Sequence, residues 1–304
     1  VQELDGVLLI DKPEGMTSHD VVDRVRKKLG VRRVGHAGTL DPMATGLLMV
    51  CVGRVTRLLE YLGQGDKIYS GRVVLGIGTD TDDAEGTVVA EASAAHVNLA
   101  AVREAAAQLT GEIRQRPPQY SAIHIDGRRA YDLAREGKKV EIPERTVRVE
   151  AFTIDALSHE GDLAVADFHV RCSKGTYVRA LCRDLGALLG VPAHMRSLRR
   201  LGIGRARIED AIPLSDWLAS DSPAAHLRDP LLYLEGLPMW HPPREAMERL
   251  ANGQKVEVPE ADALAAAPGD VVLVVYAGAV AAVGEIVEGP RTAVRPKKVF
   301  WKRG

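Results

Sequence analysis

Apolar positions along this chain come mostly as short runs and two-residue alternation, with helical stripes between them. Residues 7–10 form a short apolar run and 47–52 a longer one, and both predict buried strands. Alternation is clean over 146–151, where Val147, Val149 and Ala151 share a face. It is equally clean over 164–172, where Ala164, Ala166, Phe168, Val170 and Cys172 share another. That pattern predicts antiparallel strands with one covered face. Residues 68–77 and 86–90 read as strands flanking an acidic turn. Helical spacing follows Ser18, a good N-cap, through Val21, Val22, Val25 and Leu29 to a stop at Gly30. Residues 99–109 and 177–189 predict two more helices, and short ones are expected near 55–62 and 128–135. Residues 116–120, with Pro117-Pro118, should form a stiff extended connection. The sum is an α+β fold, with a mixed, mostly antiparallel central sheet and flanking helices.

After Ile212-Pro213 the character changes. Stretches 220–223 and 242–243 are linker-like, and from about 234 onward short strands alternate with Gly and Pro, as in a small β-barrel. Two domains are therefore expected, 1–233 and 234–304. The longest apolar stretch, 271–284, falls short of the roughly 20 residues that span a bilayer, and Ala277-Gly278 at its centre predicts a hairpin turn. Residues 1–5 lack a basic signal-peptide region, so a soluble cytoplasmic protein is expected, with no membrane partner.

A hydrophobic fraction of 46% permits a real core. Cys51, Cys172 and Cys182 have neither disulfide nor zinc spacing and read as buried free thiols. The net charge of −1 decides nothing about nucleic acid, but the distribution does more. Six basic residues and no acid lie between Arg24 and Arg33, nine against the single Asp184 between Arg171 and Arg207, and six with no acid from Arg291 onward. Three such blocks can build a basic face on a neutral protein.

The segment richest in chemistry is Gly35-His36-Ala37-Gly38-Thr39-Leu40-Asp41-Pro42-Met43-Ala44-Thr45-Gly46. Its glycines permit close backbone approach. Asp41 precedes a proline and enters a buried strand. From residue types alone it is either a reactive carboxylate or an Asp-Pro turn bonding local amides. The loop has neither GxGxxG nor a P-loop ending, so no nucleotide cofactor is expected. Asp80-Thr81-Asp82-Asp83-Ala84-Glu85-Gly86 is only weakly similar to a calcium loop and reads as a solvated acidic turn, so no metal is expected. In Ser173-Lys174-Gly175-Thr176-Tyr177-Val178-Arg179 a cation and an aromatic stand where a strand turns into a helix, either as nucleic-acid contacts or as ordinary core and surface groups.

Residues 35–53 resemble the catalytic motif of the TruB family of tRNA pseudouridine synthases, GHxGTLDPxATGxL. Four more stretches agree in the family's order: LIDKPEG at 9–15, KIY with GTDTDDAEG at 67–69 and 78–86, SKGTYVR at 173–179, and AHMRSLRRL at 193–201. Ala37 stands where many members have Thr. The resemblance implies a pseudouridine synthase fold followed by a PUA-like RNA-binding barrel. It implies a cofactor-free isomerisation of uridine 55 in the T loop of tRNA, without guide RNA and by a monomer. Asp41 would be the catalytic carboxylate and Arg179 its partner. Tyr69 would stack on the uracil, Tyr177 and Leu198 would complete the pocket, and His36 would meet the RNA near the flipped base. Lys12 would support the loop or a phosphate. Residues 120–146, with Arg128, Arg129, Arg135, Lys138 and Lys139, would form an inserted segment that closes on RNA and is mobile without it. Arg196, Arg199 and Arg200 would add backbone contacts. The competing reading is an RNA-binding or RNA-folding protein using the same surface without catalysis.

Overall fold

The computed structural model describes residues 4–119, 124–125, 128–129, 142–259, 262, 264–289 and 291–302. A mixed sheet of ten strands forms the body. Its main path runs Ile212–Pro213, Gly6–Lys12, Thr45–Val52, Ala193–Ile203, Lys67–Leu75, Leu163–Cys172, Arg145–Glu160, Gly111–Gln115. Pairing is antiparallel except between Gly6–Lys12 and Ile212–Pro213, and between Ala193–Ile203 and Thr45–Val52.

The two apolar runs and the two alternating segments lie in different halves of this sheet. In Gly6–Lys12 and Thr45–Val52, Leu8, Ile10, Leu48 and Val50 face helices Ser18–Leu29 and Leu214–Ala219. Val7, Leu9, Leu47 and Met49 face the opposite side, where they meet Leu273 and Val283 of the C-terminal sheet. Covering both faces removes the need for polar alternation. Arg145–Glu160 and Leu163–Cys172 are covered on one face, by helices Leu99–Gln108 and Val178–Leu188, with Phe152 edge-on to Phe168 at 5.7 Å.

Several local expectations need correction. The first helix is capped by Thr17, whose Oγ1 accepts from Asp20 N at 3.0 Å while the Asp20 carboxylate accepts from Thr17 N at 2.8 Å. Ser18 is instead buried, and its Oγ accepts from Leu40 N at 2.8 Å and donates to Leu40 O at 3.1 Å. The reciprocal capping box wins the cap, because Asp20 stands three residues after Thr17. The element after Thr45–Val52 is a 3₁₀ turn, Gly53–Leu58. Where a helix was expected from 128, Arg128–Arg129 pair antiparallel with His124–Ile125 in a two-stranded sheet. The rest of the expected inserted segment up to residue 141, with Arg135, Lys138 and Lys139, lies outside the described residues.

The C-terminal part is a five-stranded sheet ordered Met239–Trp240, Val271–Tyr276, Ala279–Val287, Ala293–Val299, Val256–Glu257. Ala277 and Gly278, at φ 52° and 77°, make the expected hairpin turn. Helix Arg244–Ala251, which sequence patterning did not predict, buries Met247 and Leu250 against this sheet. Arg54 and Arg57 donate to Phe300 O and Val299 O, each at 2.9 Å, fastening the C-terminal strand to the Gly53–Leu58 turn. No helix among the described residues is long and apolar enough to cross a membrane. All three thiols are buried, and burial pushes Cys51 up to about 12 and Cys172 up to about 11.

Candidate active site

A cleft of about 780 Å³ opens where the Asp41 loop crosses the ends of Lys67–Leu75 and Ala193–Ile203. Its wall includes His36, Asp41, Tyr69, Tyr177, Arg179 and Leu198, six of the seven expected site residues. The volume falls in the range that accommodates small organic ligands.

The loop reaches this position through a close backbone crossing. Gly46 has φ 99°, and a Cβ there would fall 2.3 Å from the carbonyl oxygen of Arg200. Only glycine lets Thr45–Val52 lie against Ala193–Ile203 at that point. Arg200 then turns its side chain under the loop and is fully buried. Its guanidinium donates to Leu47 O at 2.7 Å, Gly38 O at 2.9 Å and Thr39 O at 3.4 Å, and it also bonds the Tyr69 phenol. Arg200 is therefore a fully buried scaffold for the loop, with its donors turned to loop carbonyls, where the sequence expectation had it on the surface. Arg199 forms a two-pronged pair with Asp11 at 2.9 and 2.7 Å, and Arg196 pairs with Glu160 at 2.9 Å.

Lys12 is the expected site residue that does not line the cleft. It is fully buried behind the loop, donating to Met16 O at 2.6 Å, Pro13 O at 2.9 Å and Pro42 O at 3.3 Å. Burial lowers its pKa, and the charge of Asp41 opposes that shift. Its described bonds all go to backbone carbonyls around the loop.

Asp41 and Arg179 meet as expected, Oδ2 to Nε at 3.3 Å. The Asp41 side chain is 40% exposed and Arg179 10%, so the carboxylate faces the cleft while the guanidinium lies behind it. Arg179 has a second carboxylate partner that sequence reasoning missed. Its Nη1 lies 3.3 Å from Asp83 Oδ2 and donates to Thr81 O at 3.1 Å. The Asp83 side chain is only 6% exposed. Its other oxygen accepts from Thr81 Oγ1 at 2.6 Å and Glu85 N at 3.1 Å. Asp82 and Asp83 are thus buried at the wall of the site, whereas Asp80 and Glu85 stay exposed, so the solvated reading holds for only part of the turn. Asp82 beside it is also buried, has φ 61°, and is held by Arg183 at 2.8 Å. Burial raises the Asp82 pKa against the opposing pull of Arg183. One signal was legible in the sequence, the compact run of acids at 80–85, but the two arginines that pair with it stand roughly a hundred positions on.

Tyr69 is buried at the cleft floor, and burial raises its pKa, so its ring presents a neutral apolar face. Tyr177 is clamped through its backbone: Gln115 donates to Tyr177 O at 3.1 Å and accepts from Tyr177 N at 2.8 Å. The Arg145 guanidinium lies 4.7 Å from the Tyr177 ring centroid. His36 is half-buried, its Nδ1 finds no hydrogen-bond partner among the described residues, and burial and Arg200 lower its pKa. Lys67, quoted in the sequence but given no role there, also lines the cleft. Among the described residues no group of His, Cys, Asp or Glu could hold a metal.

A carboxylate facing a cleft, backed by a buried guanidinium and set beside a buried aromatic, suits nucleophilic or base chemistry on a planar ring. Comparison with known proteins points the same way. Residues 26–178 match the N-terminal domain of the TruB family of pseudouridylate synthases, and 179–235 match the tRNA pseudouridylate synthase B C-terminal domain. A protein of Thermobifida fusca (strain YX) named tRNA pseudouridine synthase B is 50% identical over 219 residues, 71% of this chain and 75% of its own. One of the same name from Corynebacterium aurimucosum is 44% identical over 255 residues, 84% and 85% of the two chains. A solved Cbf5–Nop10–Gar1 complex contains a chain with 27% identity and a TM-score of 0.75, covering 99% of this chain and 86% of that one. With these matches spanning most of its length, the chain belongs to the TruB family of pseudouridylate synthases.

Proposed function

We infer that this chain isomerises uridine to pseudouridine in tRNA, at the T loop, without a cofactor. The observation that carries the reading is the Asp41–Arg179 pair at 3.3 Å on the wall of a cleft that also holds Tyr69. In the reaction the bond between ribose C1′ and uracil N1 breaks, the base turns, C1′ bonds to C5, and the C5 proton leaves. Asp41 starts this by attacking C1′ or C6, or by taking the C2′ proton. All three use the carboxylate as an electron-pair donor, and the Arg179 guanidinium stands 3.3 Å behind it. Tyr69 stacks on the flipped base, Tyr177 and Leu198 close its edges, and His36 meets the RNA beside it. Lys12 acts through the loop. Extracting the base costs about a few kcal/mol of unstacking. Residues 1–233 form the catalytic unit, with 120–146 as the inserted RNA-contacting segment, and 234–304 a PUA-like RNA-binding unit. The substrate is free tRNA, the protein acts as a monomer in the cytoplasm, and no guide RNA takes part.

The test is tritium release from tRNA carrying 5-tritiated uridine, comparing wild type with Asp41→Asn. Release of about one tritium per tRNA, mapped to the T loop and confined to wild type, is the expected result. Tight binding with no release from either protein would leave an RNA-binding module instead. Release from an isolated T-arm hairpin separates a stand-alone enzyme from a guide-dependent one.

A further inference from the structure

Lys67 and Tyr69 are alternate residues of one strand, so their side chains leave the same face, with roughly 6.6 Å between their Cα atoms. Both are buried, and both line the cleft. Lys67 lies against the catalytic loop: its Cε is 3.7 Å from where a Cβ on Gly38 would stand. The hydrogen bond described for its Nζ is a long one, to Gly63 O at 3.4 Å. Among the described residues no carboxylate pairs with it. A buried ammonium beside an aromatic floor, without a counterion, is an expensive arrangement to maintain for packing alone.

We propose that Lys67 is a substrate-contacting residue of the isomerisation, donating a hydrogen bond from Nζ to a uracil carbonyl oxygen and so holding the charge that develops on the base. This rests on the pseudouridine synthase reading above. Each first step open to Asp41 places negative charge on the base. Attack at C1′ or elimination at C2′ sends the C1′–N1 electron pair into the ring, and attack at C6 makes an enolate. Lys67 stays an ammonium throughout and transfers no proton. The pair returns through C5 to C1′ as the bond from Asp41 to C1′ or C6 breaks or, in the elimination route, as Asp41 gives the proton back to C2′; the C5 proton then leaves to solvent and N1 takes one up. A base stacked on Tyr69 presents its edge to the neighbouring position on the same strand face. A fixed cation in a desolvated cleft there stabilises an anion far better than water does. The groups around the lysine set its charge. Burial lowers its pKa to about 8, Arg200 and Lys174 push the same way, and Cys172 and Asp66 oppose them.

The experiment compares single-turnover rates of wild type and Lys67→Met on T-arm hairpins carrying either uridine or 5-fluorouridine. Fluorine makes the base a better anion and reduces its need for a cation. Conversion of uridine is read as pseudouridine, and that of 5-fluorouridine, which has no C5 proton to lose, as the C5–C1′-linked product with water added across N1=C6, both by nucleoside digestion and liquid chromatography with mass spectrometry; hairpin affinity and the melting curve are recorded for both proteins. Lys67→Met should be about 30- to 100-fold slower on uridine, at nearly unchanged affinity, and that deficit should shrink at least about fivefold on 5-fluorouridine. Equal deficits on both hairpins, or none, would overturn the proposal, since a merely structural lysine cannot distinguish the two bases. If Lys67→Met does not fold, the wild-type pH profile decides. kcat/KM on uridine should fall as pH rises through about 8, where the lysine loses its charge, and Lys67→Arg should move that fall to higher pH. A flat profile up to about pH 9 overturns the role. A wild type that converts neither hairpin overturns the function reading itself, a result distinct from a selective loss in the variant.

Discussion

The loop that carries Asp41 and the turn that carries Asp83 both end on the guanidinium of Arg179, yet they present their carboxylates in opposite ways. The loop is fixed through its backbone. Arg200 and Lys12 hold carbonyls of Gly38, Thr39 and Pro42, and Ser18 holds both polar groups of Leu40. Among the described residues that leaves Arg179 as the ion partner of the Asp41 side chain, which stays 40% exposed. The turn is fixed through its side chains. Asp83 spends one oxygen on Thr81 and Glu85 N and the other on Arg179, and is 6% exposed. A carboxylate that must meet a substrate is held by its main chain, whereas one that only aims a guanidinium can commit both oxygens. On the proposed function, exposure, rather than proximity to Arg179, separates Asp41 as the reacting acid from Asp83 as the positioning one.

The most severe way to break this contrast is to neutralise each acid in turn. Asp41→Asn should lower single-turnover isomerisation by about 10⁴-fold or more, the scale of losing a nucleophile or general base, while leaving tRNA affinity and melting temperature near wild type. Asp83→Asn keeps the shape but removes the charge that anchors Nη1 of Arg179. It should cost roughly 10²-fold in rate, the scale of losing one preorganised electrostatic contact. If Asp83→Asn proved as damaging as Asp41→Asn, the two acids would share the chemistry, and exposure would not separate their roles.

Much of the loop was legible in the sequence, and most of the turn was not. Asp41 stands in a Gly-rich segment before a continuous apolar run, so its location on a strand-entry loop follows from residue types nearby. Asp83 stands in an acidic run whose local pattern reads as solvent-facing. What holds it is Arg179, with Arg183 holding Asp82 beside it, both on a helix about a hundred residues later. Arg200 shows the same limit. A run of basic residues at 196–200 reads as surface, and only the register against Thr45–Val52, with Arg200 opposite Gly46, sends one of them under the loop. The sheet itself was readable because burial on one face or two leaves different patterns along a strand. Helix Arg244–Ala251 was not, since it buries only two residues and follows Pro242-Pro243 without a side-chain cap.

A smaller perturbation sharpens the claim that the loop is held by its carbonyls. Arg200→Lys keeps a buried cation but cannot reach Leu47, Gly38 and Thr39 together as the planar fork does. Stability should fall by about 1–3 kcal/mol, from carbonyls left without donors. kcat should fall about tenfold, with KM little changed, because Asp41 is displaced rather than removed. A melting curve and steady-state kinetics on one preparation check both. Unchanged kcat with a lowered melting temperature would mean that the loop finds its catalytic position without the fork.

The finest test uses adjacent residues that sequence patterning confuses. Thr17 and Ser18 are both plausible caps, but the first closes the helix and the second holds Leu40, one residue before Asp41. Thr17→Ala should cost about 1 kcal/mol of stability with kcat unchanged, since the cap touches nothing in the cleft. Ser18→Ala removes the partner of a buried N–H and a buried C=O, a stability loss of about 1–3 kcal/mol. It should also lower kcat several-fold, because the peptide leading into Asp41 loses its only described side-chain tether. Two neighbouring hydroxyl deletions of similar stability cost, only one of which slows the chemistry, would show that the loop's backbone fixation is a catalytic requirement. Equal kcat in both variants would reduce Ser18 to packing and leave Lys12 and Arg200 as the groups that position Asp41.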